Sequence, residues 1–146
     1  MRIAAPVIAL MVLASCAPAR PRTVEIVAVN YAFQAPDSVP AGPAVFRLTN
    51  HGTVVHEVQL FRFRRGIGAD SGLRLLVTEG TPDSLYDASG AVLISAVGAT
   101  AVQGVTAELA PGELWGLVCQ FRDSAGAPPH DKLGMFKVLT VTGTRD

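Results

Sequence analysis

The sequence predicts an all-β sandwich with a small helical insertion around residues 66–100. Two observations carry this. Six or seven short apolar runs, rich in β-branched residues, are separated by Gly/Pro turns. That rhythm fails in one place only, the middle of the chain, where helix-start signals replace it. The 146 residues give room for one domain with a sizeable core, and 49% hydrophobic content argues against disorder. The formal net charge of zero provides no steering toward nucleic acid or a polybasic-lipid surface.

The first 15 residues read as a secretory signal. Arg2 is a short positive region, and Ile3 to Ala14 are apolar apart from the break at Pro6. The run is too short to span a bilayer. It ends in Leu13-Ala14-Ser15-Cys16, which resembles the lipobox of bacterial lipoproteins, with Ala17-Pro18-Ala19 as a competing small-residue cleavage site. The resemblance implies removal of residues 1–15, lipidation of Cys16, a tether over 16–22 and a folded domain over 23–146. Loss of Arg2 leaves the mature chain one charge on the acidic side of neutral. Cys119 then becomes the only other thiol in an oxidising compartment, where an unpaired cysteine points to a partner or a reactive role.

Beyond the Pro-broken tether, Val24 to Val29 form a first strand, which Asn30-Tyr31-Ala32-Phe33 is expected to continue. Ala35 to Ser38 turn the chain, and Val39 to Pro43 break it again. Ala44 to Asn50 is the next strand, His51-Gly52 a turn, and Val54 to Phe63 a strand. Its alternation puts His56, Val58 and Leu60 on one face and Glu57, Gln59 and Phe61 on the other. In the middle, Asp70 or Ser71 caps a short helix across Leu73 to Val77, and Thr81-Pro82 opens a second. Ala91 to Val97 fits a strand or a buried loop. The strand rhythm resumes with Val105 to Leu109, a turn at Ala110 to Glu113, a strand from Leu114 to Phe121 and a closing strand from Met135 to Val141. There is no internal repeat and no low-complexity tract.

The chemistry gathers between the last two strands. A strand ends on Cys119, a loop brings up His130, and Met135 follows just before the next strand. One thiolate, two imidazoles and a weak thioether suit both oxidation states of copper, since soft sulfur favours Cu(I) and imidazole accepts either. The missing imidazole is His56, whose alternation points it inward with Val58 and Leu60; His51, beside a glycine in a turn, is the poorer candidate. Singly, each of these residues has an ordinary explanation: a core or surface histidine, a core methionine, a buried thiol. Their conjunction, in ligand order around one loop with an inward histidine on another strand, is what points to a metal.

These residues carry a family resemblance. Asn50-His-Gly-Thr-Val-Val-His56-Glu57, Leu109-Ala-Pro-Gly-Glu113, Cys119, His130, Gly134-Met135 and the final strand are similar to the cupredoxins over about residues 23–61 and 101–142. The resemblance implies a Greek-key β-sandwich with one mononuclear Cu(I)/Cu(II) site at one end, ligated by His56, Cys119, His130 and axial Met135, and outer-sphere electron transfer as the task. The lipobox adds a place at the bacterial cell envelope, periplasm-facing or otherwise extracytoplasmic, and a monomer with a redox protein partner is expected. Enzymatic turnover such as nitrite reduction is the weakest reading, since it would need a second metal site and His51 is the one histidine to spare. One departure stands out. Ten residues separate Cys119 from His130, far more than in small carriers such as plastocyanin and azurin, although copper nitrite reductases also have a longer ligand loop. Closure entropy is a weak objection, each doubling of loop length adding about 0.6 kcal/mol. Copper storage without redox turnover, and a metal-free binding or structural domain, are the alternatives. Arg62, Arg64 and Arg65 form a small basic patch that fits a solvated strand end or a dock for an acidic partner.

Overall fold

The structure is a computed structural model of the chain and describes residues 20–79 and 84–143. The signal, Cys16 and most of the tether lie outside these residues, as does the Thr81-Pro82 helix start. Among the described residues, nine strands make two sheets that pack face to face. Strands β1 (Arg22–Val29), β2 (Ala32–Gln34), β4 (Gly42–Asn50) and β7 (Val105–Leu109) form one, in the order β2-β1-β4-β7. Strands β3 (Ser38–Pro40), β9 (Phe136–Thr142), β8 (Leu114–Val118), β5 (His56–Phe63) and β6 (Tyr86–Ser95) form the other, in the order β3-β9-β8-β5-β6. The pairs β1–β4 and β3–β9 are parallel and the rest antiparallel, so the chain crosses between sheets, as a Greek-key sandwich requires.

Alternation builds the core. Val24, Ile26 and Ala28 from β1, Phe46 and Leu48 from β4, Val58 and Leu60 from β5, Leu117 from β8 and Leu139 and Val141 from β9 meet between the sheets. A second cluster lies on the outer face of the five-stranded sheet. There the single described helix, α1 (Ala69–Glu79), sets Leu76 against Phe61, Phe63, Leu114 and Val118. The helix therefore covers a sheet face. Phe61 fits in this layer because Gly116, its register partner on β8, has no side chain: a Cβ there would lie 2.1 Å from the Phe61 ring.

Three expectations change. Asn30-Tyr31 do not prolong the first strand; the chain reverses there, and β2 pairs back on β1 with Val29 opposite Ala32. The reversal turns on Tyr31, whose φ of 58° is left-handed, a conformation that alternation cannot reveal in a tyrosine. The break at Val39–Pro40 is itself a short edge strand, β3, where proline is tolerated. The insertion holds one described helix, and from Tyr86 to Ser95 it is strand, paired along the whole of β5. Its outward Val92 and Ile94 hid the alternation, because apolar residues occupy both faces of an edge strand.

Candidate metal centre

One end of the sandwich collects the ends of β5 and β8, the loop after β8 and the turn between β1 and β2. Asn50 frames the approach to β5. Buried at the end of β4, it donates through Nδ2 to the carbonyls of Val54 and Ser95 and accepts the Gly52 amide on Oδ1. This tightens residues 51–55 and sets His56 as the first residue of β5, facing inward. His51 is left exposed on the same turn, away from the cluster.

The ligand loop is knit by its own backbone. The Cys119 amide donates to the Met135 carbonyl (3.1 Å), the Asp131 amide to the Cys119 carbonyl (2.8 Å), the His130 amide to the Phe121 carbonyl (2.9 Å) and the Met135 amide to the His130 carbonyl (3.0 Å). A 3-10 turn over His130–Leu133 ends at Gly134 (φ 103°), where a side chain would be strained. These bonds hold Cys119, His130 and Met135 at one level despite the long excursion between the first two.

His56, Cys119, His130 and Met135 are all fully buried. The Nδ1 atoms of His56 and His130 are 3.2 Å apart, and Cys119 Sγ is 3.4 Å from His130 Nδ1. The ligand atoms of His56, Cys119 and His130 all lie within 4.8 Å of one another, a possible copper site. A first-row cation about 2.0–2.1 Å from nitrogen and about 2.3 Å from thiolate sulfur spaces its ligand atoms roughly 3.3–3.8 Å apart. The cluster is already near that spacing, and its donor set suits copper. Met135 sits in the main core beside Cys119, its backbone bonded to both Cys119 and His130.

Electrostatics separate the donors. Burial pushes the Cys119 thiol up to about 11, against which the Glu57 amide, 3.5 Å from Sγ, favours the thiolate. Burial, and then the facing His130, hold His56 below the usual histidine value, so its imidazole is neutral and free to donate a lone pair. Glu57 also ties the strands together, its Oε1 accepting the Gln120 amide (3.1 Å) and the Gln59 side chain (2.9 Å).

Two residues at this end are absent from the sequence-level site. Asp123, in the loop after Cys119, places Oδ1 2.9 Å from His130 Nε2, and its Oδ2 accepts the Tyr31 hydroxyl at 2.7 Å. Tyr31 and Asp123 are 92 residues apart, and no local pattern couples them. The basic patch lies elsewhere and is partly consumed: Arg62 pairs with Asp87 (2.8 Å) and Glu113 (3.0 Å), and Arg64 donates to the Ser84 carbonyl.

No protein-family model matches the chain, and no curated protein matches its sequence. Solved structures do match. A dithionite-reduced auracyanin from the photosynthetic bacterium Roseiflexus castenholzii superposes with a TM-score of 0.53 at 20% identity, over 86% of this chain and 100% of that one. Auracyanin B gives 0.53 at 20% identity, over 87% and 94% of the two chains. Reduced rusticyanin gives 0.50 at 19% identity, over 86% and 83%. At such identity the likeness establishes the fold alone, which is that of the cupredoxins. Among the described residues no helix is long and apolar enough to cross a membrane.

Proposed function

We propose that the protein binds one copper ion through His56, Cys119 and His130, with Met135 as the axial thioether, and passes single electrons at the cell envelope, anchored there by lipidated Cys16. One observation carries the copper assignment: two Nδ1 atoms and one Sγ, all buried, converge at the end of a cupredoxin fold. The dithionite-reduced auracyanin and the reduced rusticyanin that share the fold agree with a redox role. The anchor rests on the lipobox-like Leu13-Ala14-Ser15-Cys16.

Copper bound there supplies a one-electron Cu(II)/Cu(I) couple. The chain's part is to keep the donors in place in both states. Packing of Cys119 and Met135 into the core resists movement of either sulfur. The Glu57 amide donates to Sγ and offsets part of the negative charge on a thiolate. Burial excludes water, so little solvent has to reorganise when charge arrives or leaves.

Equimolar Cu(II) added to the full-length protein is expected to give an intense visible charge-transfer band. Cys119→Ala abolishes it, His56→Ala abolishes or shifts it, and His51→Ala leaves it intact. Failure of the wild-type protein to take up copper would sink the assignment. Tight Cu(I) binding with no stable Cu(II) state would turn it into storage.

A further inference from the structure

His130 is held more firmly than a bare ligand needs. Asp123 caps its Nε2 at 2.9 Å, Tyr31 donates to the other carboxylate oxygen at 2.7 Å, and the Tyr31 ring stands edge-on at 5.1 Å from the imidazole. The imidazole has no exposed surface, while the aspartate remains partly open to solvent. The three groups come from separate places: the β1–β2 turn, the middle of the ligand loop, and its end.

Two features indicate that this contact is built. Tyr31 is the one non-glycine at positive φ among the described residues, a conformation that costs roughly 1–2 kcal/mol in an L-residue and persists where its surroundings demand it. The loop is also pinned from inside: the Ala127 amide donates to the Ser124 carbonyl, the Arg122 guanidinium donates to the Ala127 carbonyl, and Pro128-Pro129 stiffen the return to His130. The other imidazole provides the contrast, because His56 Nε2 is buried with no hydrogen-bond partner and lies against Gly52.

We propose that Asp123, itself held by Tyr31, is a positioning residue for His130, and that the ten-residue loop exists to deliver it. The carboxylate accepts the Nε2 proton and so selects that tautomer, which turns the Nδ1 lone pair toward Cys119 Sγ and His56 Nδ1. A carboxylate on the far nitrogen makes an imidazole a stronger donor and fixes its ring plane. The two histidines are then unequal: His130 is the oriented, electron-rich donor and His56 is held by packing. The use of this device rests on the copper assignment; the device itself does not.

The test has two readouts on the full-length protein. In the metal-free state, imidazole 15N shifts are expected to report a single Nε2–H tautomer for His130, which becomes a mixture in Asp123→Ala. Copper affinity in the same variant falls about 10–100-fold. Tyr31→Phe moves both readouts the same way by less. Asp123→Asn retains an acceptor oxygen but not the charge, so the tautomer is largely kept while the reduction potential rises. If Asp123→Ala does not fold, Asp123→Asn and Tyr31→Phe decide. An unchanged tautomer and affinity in Asp123→Ala overturn the proposal; where that variant does not fold, an unchanged tautomer and affinity in Tyr31→Phe together with an unchanged potential in Asp123→Asn overturn it. Should the wild-type protein bind no copper, the copper assignment fails, and the tautomer result still judges Asp123.

Discussion

At the scale of single residues, the proton on Cys119 matters most. Burial raises its thiol to about 11, so at neutral pH the metal-free protein holds the neutral form, and a metal must displace that proton to gain a thiolate. The sign follows directly. Below about 11 each lower pH unit makes the exchange harder, so apparent copper affinity is expected to fall about tenfold per unit as pH drops through the neutral range. Competitive titration against a chelator at several pH values measures it; a flat profile would contradict a buried, protonated thiol. His56, held low by burial and by facing His130, stays neutral in the same range and adds no second proton. Much of this site was legible in the sequence. Alternation chose His56 over His51, and the order of Cys119, His130 and Met135 around one loop marked the rest. Tyr31 and Asp123 were not legible, because their partnership depends on a left-handed backbone at Tyr31 and on a loop trajectory that no periodicity encodes.

At the scale of elements, β8 carries both the site and the support for α1. Its residues are buried on both faces, one toward the core between the sheets and the other toward the helix. Gly116 sits at its centre because the Phe61 ring occupies the space a side chain would need. Gly116→Ala is therefore expected to cost about 1–3 kcal/mol through overpacking, read as a lower urea midpoint. Combining it with Phe61→Leu should recover part of that loss. Equal destabilisation in the single and double variants would place the cost elsewhere. Strands were easiest to read where one face is wet, as in β4, whose Phe46 and Leu48 point inward while Arg47 is exposed. They were hardest where both faces are apolar, as in β6, or where a strand is three residues long, as in β2 and β3. The helix was expected across Leu73 to Val77 and is there, but Asp70 and Ser71 lie inside its first turn and do not cap it, since it begins at Ala69. Its packing was not legible, since which face of a sheet receives an insertion is a tertiary fact.

At the scale of the whole molecule, the centre grows out of the core. Cys119 and Met135 belong to the same packed cluster as Ile26, Phe46 and Leu117, so the scaffold that aims the donors does not require a metal to form. Removing copper is thus expected to leave the far-UV spectrum of the β-sandwich unchanged. Because the ion binds the folded state, copper at a hundred times Kd adds about 2.7 kcal/mol, and chelation should lower Tm by roughly 10 °C. Loss of sheet signal on chelation would mean that the metal organises the fold.

The direction of β1 has a consequence for how the protein stands. Arg22 pairs with Ala44 at the end of the sandwich remote from the metal centre, and the strand then runs toward the Tyr31 turn beside His130. Eight residues of strand separate the two ends by about 26 Å. Were the chain tethered to a bilayer through Cys16, as proposed, it would enter at its foot and carry the His56, Cys119 and His130 cluster at its crown. Under the proposed anchoring, the reactive end would face the aqueous space, open to the proposed redox partner and held away from the bilayer surface.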